Sequence, residues 1–194
     1  AADVATLLTG ETAVLMQTDP PYGIAYDSRM LHMNNTNHAP IEGDDLLDGP
    51  KLQAFIEASI RAAVPHLTKN AAFFLWHPML TQGTFFAAAA AADILIHRQI
   101  IWVKPSLIMG RGDYHWRHEL CFYGWIRGKR CRWLAGRDQD TIWEIGRGND
   151  SPHPTEKPVE LFTRPLRNHT IEGDICYEPF AGSGSQLVAA QQLN

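Results

Sequence analysis

The 194-residue chain has no uninterrupted apolar run of ~18 residues, which excludes a membrane-spanning helix. Its opening, AADVATLLTGETAVLMQ, lacks the basic start and apolar stretch of a secretory signal. Cysteine is scarce. Cys121, Cys131 and Cys176 form neither a paired framework nor a C-x-x-C, so a disulfide scaffold is excluded and a reducing compartment is expected. No G-x-x-x-x-G-K-[ST] occurs, which argues against a nucleoside triphosphate site, and no internal repeat is visible. Apolar residues make up 45% and charged residues 20%, ordinary globular usage that excludes disorder and collagen-like repeats. What is left is a soluble chain of about one domain, expected in the cytoplasm.

The net charge of −4 hides an asymmetry. Residues 1–97 carry −6, residues 98–147 carry +5 and residues 148–194 carry −3. A basic middle between acidic flanks can present a positive face to a polyanion; a solvated arginine-rich loop accounts for it equally well.

Short apolar runs alternate with helical patterns. Residues 13–18 read as a buried strand stopped at once by Asp19-Pro20-Pro21-Tyr22-Gly23, and residues 26–50 are polar and rich in chain breakers, as in a loop. Leu52, Phe55, Ile56, Ile60, Ala63, Val64 and Leu67 recur at helical spacing. Strands are predicted at 72–76, 94–104, 120–126 and 175–178, with a glycine-rich loop at 109–119 and a helix through the alanine run 87–92. Thr155 is the expected cap of a helix with Pro158 in its first turn, running to about His169, and Gly184 opens a last helix. This alternation predicts an α/β domain with a mainly parallel sheet.

Two tight turns directly follow predicted strands, and ligands in such sheets sit beyond the carboxyl ends of strands. In Phe180-Ala181-Gly182-Ser183-Gly184 two glycines allow close backbone approach to a ligand; a structural turn needs no more than that, and Leu187 stands where a third dinucleotide-motif glycine belongs. Asp19-Pro20-Pro21-Tyr22 is more distinctive. Two prolines fix two φ angles and remove two donors, leaving a rigid rim of acceptors, the Asp19 carboxylate and the Pro20 carbonyl, beside an aromatic ring. Such a rim suits a planar group bearing an NH2.

Asp19-Pro20-Pro21-Tyr22 resembles the catalytic motif of DNA amino-methyltransferases, and the Phe180–Gly184 run resembles their S-adenosylmethionine motif. His153-Pro-Thr-Glu-Lys-Pro158 is similar to the segment before the cofactor motif in the circularly permuted β class, and the order of the three is that of this class. Trp102-Val-Lys-Pro105 and residues 114–123 resemble phage-borne members. The resemblance implies a Rossmann-like methyltransferase sheet, mostly parallel and permuted, with residues 1–126 as the catalytic half, 127–150 as a small basic target-recognition segment and 151–194 as the cofactor half. It implies methyl transfer from S-adenosylmethionine to the exocyclic amine of a base flipped out of double-stranded DNA. Adenine N6 is expected from the leading aspartate; cytosine N4 and a non-catalytic DNA-binding remnant are the alternatives.

On this resemblance Asp19, Pro20, Pro21 and Tyr22 act on the base. Asp19, Thr155, Lys157, Glu178, Phe180, Gly182, Ser183 and Gly184 form the cofactor site, with Thr155 and Lys157 by the methionine carboxylate and Glu178 where the family usually has aspartate. Lys104, Arg111, Arg117, Lys129, Arg130, Arg132 and Arg137 are the expected DNA contacts. A homodimer and a companion restriction enzyme stay open. His115, His118, Glu119 and Cys121 match no closed zinc spacing, and no metal is expected. Members of the family continue to an acidic ribose-binding residue about 20 positions on. This chain stops at Asn194, so the 194 residues are expected to belong to a longer protein.

Overall fold

The computed structural model describes residues 2–23, 49–109, 113–146 and 157–193. In chain order the elements are α1 (Ala2–Leu8), β1 (Ala13–Thr18), α2 (Gly49–Ala63), a 3-10 turn (Val64–His66), β2 (Leu67–His77), α3 (Gln82–Ala91), β3 (Ile94–Ile108), β4 (Trp116–Ile126), β5 (Ile142–Glu144), α4 (Glu160–His169), β6 (Cys176–Tyr177) and α5 (Ser185–Gln191). The six strands form one sheet in the order β5-β3-β4-β2-β1-β6. The β1–β2, β1–β6 and β3–β5 pairs are parallel, and the β2–β4 and β3–β4 pairs are antiparallel. The sheet is therefore mixed, with a parallel majority.

Both faces of the sheet are covered, which explains why the central strands read as continuous apolar runs rather than alternating ones. Phe73 and Leu75 of β2 turn to one face with Met16, Phe122 and Ile94, where Leu52, Ile56 and Ile60 of α2 and Phe85, Ala88 and Ala89 of α3 cover them. Phe74 and Trp76 turn to the other face with Leu15, Trp102, Cys121 and Trp143, covered by Leu161, Phe162 and Leu166 of α4 and Ala189 of α5. Gly124 of β4 lies beside an irregularity of β3 between Ile96 and Arg98, and a Cβ there would stand 2.1 Å from the Leu95 carbonyl oxygen. Only glycine fits that close approach.

Several expectations are corrected. Helix α1, whose Val4 and Leu8 are buried, was not expected ahead of β1. Residues 105–108 and 116–119 belong to β3 and β4, which pair with each other past the rest of the sheet as a hairpin arm, so the glycine-rich segment expected at 109–119 is shorter, and its residues 110–112 lie outside the described residues. A strand not expected in the basic segment 127–150, β5, joins the sheet with Trp143 in the core. Helix α4 starts from Val159, without a side-chain cap; Thr155 and Arg111 lie outside the described residues, as do residues 26–48 of the loop predicted at 26–50, whose last two residues, Gly49 and Pro50, open α2 instead.

Candidate active site

Register decides which loops meet. Leu15 pairs with Cys176 and Met16 with Tyr177 in parallel strands, so the turns after β1 and β6 leave the sheet side by side. The chain leaving β1 goes to α2 on one face and the chain leaving β6 goes to α5 on the other, which opens a crevice between the two turns. Across it the Thr18 hydroxyl donates to Glu178 Oε1 at 2.7 Å. The same carboxyl accepts the Phe180 N–H at 2.7 Å and, on Oε2, the Gln186 amide at 2.9 Å. Burial pushes Glu178 up to about 8, against these three donors. With both oxygens engaged inside the protein, Glu178 shapes the glycine loop.

Gly182 and Gly184 have φ of +50° and +81°, the left-handed region that favours glycine. A Cβ on either would make only ordinary van der Waals contact, 3.8 Å from the Phe180 carbonyl oxygen and 3.9 Å from a Leu187 methyl, so the left-handed φ and not crowding calls for glycine. The Phe180 ring lies 5.7 Å from that of Phe55 of α2.

On the other side of the crevice Pro20 is buried, and Asp19, Pro21 and Tyr22 are half-buried. The Tyr22 hydroxyl donates to Asp19 Oδ1 at 2.8 Å, and its ring meets Phe85 edge-on at 6.3 Å. Lys157, expected near a cofactor carboxylate, bonds Asp19 Oδ2, donates to the Tyr22 oxygen at 3.1 Å and pairs with Glu119 Oε2 at 3.3 Å. It lies 5.2 Å from the centre of the Trp76 ring and is only 7% exposed. Burial alone would lower its pKa; Asp19, Tyr22 and Glu119 outweigh that and raise it. Burial would raise Glu119, yet Lys157 and Lys104 hold it below the usual carboxylate range. Burial and the adjacent Asp19 push the Tyr22 phenol well up.

Glu119 and Thr18 are the residues the sequence reading passed over. Glu119 was weighed only with His115, His118 and Cys121 as a metal set; Cys121 is in the core, and Glu119 faces two lysines. One of these is Lys104, expected on the DNA. It is buried and pairs with Glu119 at 2.5 Å. Of the other expected DNA contacts, Arg132 is drawn inward to Asp174 and the His169 carbonyl. Lys129 and Arg130 are exposed but follow the carboxyl end of β4, which is antiparallel to β2, and so lie at the sheet edge opposite Asp19. Arg137 is exposed ahead of β5, and Arg117 is exposed at the start of β4, on the Asp19 edge.

A family model described as DNA methylase, for N6 and N4 methyltransferases, matches residues 14–194. The chain belongs to this DNA methylase family. M.HpaI, a type II methyltransferase of Haemophilus parainfluenzae, is 35% identical over 66 residues, which is 31% of this chain and only 21% of that protein's length. YubD of Escherichia coli (strain K12), named as a methylase, is 24% identical over 184 residues, 94% of this chain and 73% of YubD. Among solved structures, the M1.HpyAVI–SAM complex superposes with a TM-score of 0.69 at 17% identity over 99% of this chain and 85% of that one. The cytosine-N4-specific PvuII DNA methyltransferase does so with a TM-score of 0.73 at 10% identity over 97% and 75%. These two likenesses establish the methyltransferase fold. Among the described residues of this methylase-family chain, no helix is long and apolar enough to cross a membrane.

Proposed function

We propose that this chain is the catalytic part of a DNA methyltransferase that uses S-adenosylmethionine to methylate the exocyclic amine of a flipped base, adenine N6 in the first instance. The observation that carries this reading is the Thr18–Glu178 bond at 2.7 Å, because it locks the Asp19–Tyr22 rim and the Phe180–Gly184 loop into one crevice. Family membership supports the amine target.

An aromatic amine is a poor nucleophile because its lone pair is delocalised into the ring. In the free site the Tyr22 phenol fills Asp19 Oδ1 while Lys157 holds Oδ2. An entering amine N–H takes Oδ1 from the phenol, and the Pro20 carbonyl accepts the second N–H. Two acceptors favour a pyramidal nitrogen whose lone pair stands clear of the ring. Released from Asp19 but still held at its oxygen by Lys157, Tyr22 lies with its ring against the base, an exchange that offsets ~1–3 kcal/mol of the few kcal/mol needed for flipping.

The uncrowded, left-handed turn at Gly182 and Gly184 fits the methionine end of the cofactor, with Phe180 and Ser183 beside it. S-adenosylmethionine, when bound, supplies a methyl group on a positively charged sulfur. Holding the amine in line with that group accounts for up to ~7–11 kcal/mol of the barrier. Asp19 then stands nearest to take the proton that the amine sheds.

Digesting DNA after incubation with the protein and S-adenosylmethionine tests the reading: N6-methyladenine is expected, and Asp19→Ala keeps cofactor binding by calorimetry while losing transfer. Full activity in Asp19→Ala removes the acid from the chemistry. The fold shared with the cytosine-N4-specific PvuII enzyme favours a second reading, cytosine N4, and N4-methylcytosine as the sole product establishes it instead.

A further inference from the structure

Four charges alternate through the floor of the rim: Lys104, Glu119, Lys157 and Asp19. Lys104 Nζ lies 2.5 Å from Glu119 Oε1, Glu119 Oε2 lies 3.3 Å from Lys157 Nζ, and Lys157 Nζ bonds Asp19 Oδ2. The lysines are 6% and 7% exposed, so their ammonium groups depend mainly on these carboxylates for partners. They arrive from different parts of the chain, Lys104 on β3, Glu119 on β4, Asp19 after β1 and Lys157 ahead of α4.

An ammonium has three N–H donors. Those of Lys157 go to Asp19 Oδ2, Glu119 Oε2 and the Tyr22 oxygen, which leaves none for Asp19 Oδ1. That oxygen is held by the exchangeable Tyr22 phenol alone among the described contacts. Take away Glu119, and a donor of Lys157 is freed 3.3 Å from its former partner, beside a carboxylate that can accept it on both oxygens. Asp19 would then be clamped bidentately and closed to an incoming amine.

We infer that Glu119 is a positioning residue: by holding one donor of Lys157 it keeps Asp19 Oδ1 open for the substrate amine, and Lys104 holds Glu119 in turn. This rests on the proposed methyl transfer. Glu119 touches neither reacting atom and acts through Lys157.

The test is a pair of double-mutant cycles on the full chain with Glu119→Met, which removes the acceptor at nearly the same volume, and Lys157→Met, read once as methyl transfer and once as urea midpoint. Glu119→Met is expected to lower kcat by about ten-fold or more while the calorimetric Kd for S-adenosylmethionine stays within about two-fold. In the Lys157→Met background the same change costs no further kcat, since residues acting as a unit are not additive. Should Lys157→Met fail to fold, Glu119→Asp takes its place as the milder arm, with kcat recovering part of the way towards the parent. A kcat for Glu119→Met within about two-fold of the parent, or kcat losses that add across the cycle, overturn the inference while the parent's activity upholds the proposed function. A parent that transfers no methyl to any DNA overturns the proposed function itself, and the inference falls with it; a non-additive stability cycle then still assigns the Glu119–Lys157 pair a structural role.

Discussion

Replacing Lys157 by Met keeps the length of the side chain and its packing against Trp76 but removes the charge between two carboxylates. Breaking a buried ion pair from one side costs about 3–5 kcal/mol, because the partner is left charged and uncompensated. The Asp19 and Glu119 side chains are each 26% exposed, so water softens the loss and the low end, about 3 kcal/mol, is expected. With a urea dependence of about 2 kcal/mol per molar, the midpoint should fall by about 1.5 M. The pH dependence makes the prediction specific. Glu119 is held low, so its contribution is complete above the ordinary carboxylate pKa and is lost as pH falls through its folded value. Lys157 is held high, so its contribution is complete below the ordinary amine pKa and is lost as pH rises through its folded value. The deficit of the variant should therefore be flat from about pH 5 to 10 and narrow below, as the orphaned Glu119 takes up a proton. Urea titrations of both proteins at pH 4 and pH 8 read it. A midpoint shift at pH 8 below about 0.3 M, or the same shift at both pH values, refutes the reasoning.

Two further expectations follow from single groups. Glu178, pushed up to about 8, keeps a proton in the folded state that the unfolded chain has released, so stability falls as pH rises towards 8. His77 and His169, lowered to about 4, act in the opposite direction but only below their ordinary value of 6.5, which leaves the interval above it to Glu178. Between pH 6.5 and 8 the parent should lose about 1–2 kcal/mol relative to Glu178→Gln, and parallel urea curves count against it. Gly124→Ala sets a Cβ 2.1 Å from the Leu95 carbonyl oxygen, a backbone atom that cannot step aside, and should cost about 2–3 kcal/mol, seen as a lower melting temperature.

How much of this was legible in the chain depends on how local each signal is. Strand β1 matched its pattern to the residue, because an apolar run that ends in Asp-Pro-Pro has one boundary only. The two loops could be placed in one crevice, since parallel strands bring their carboxyl ends to one edge. Three-residue β5 was invisible: it gains its place from Trp143 in the core and from pairing with β3, not from any pattern of its own. The charged chain was equally out of reach, as Lys157 and Asp19 stand 138 positions apart and nothing near either names the other. Counting basic residues along the middle segment does not show which edge of the sheet each one reaches. Strand direction carried Lys129 and Arg130 to the far edge, whereas the neighbouring Lys104 was consumed by Glu119.

The Thr18–Glu178 contact spans 160 positions, and β6 is a two-residue strand at the border of the sheet. Closing so long a loop costs entropy before it returns anything, so this seam is expected to knit last during folding and to open first under stress. Catalytic competence would then vanish ahead of the bulk melting signal, and a preparation that looks native by circular dichroism could already be inert. A ligand bridging both turns would stitch the seam shut, so protection by the methyl donor should show most strongly in the amide exchange of β6 and α5, and only weakly in the β2–β4 centre.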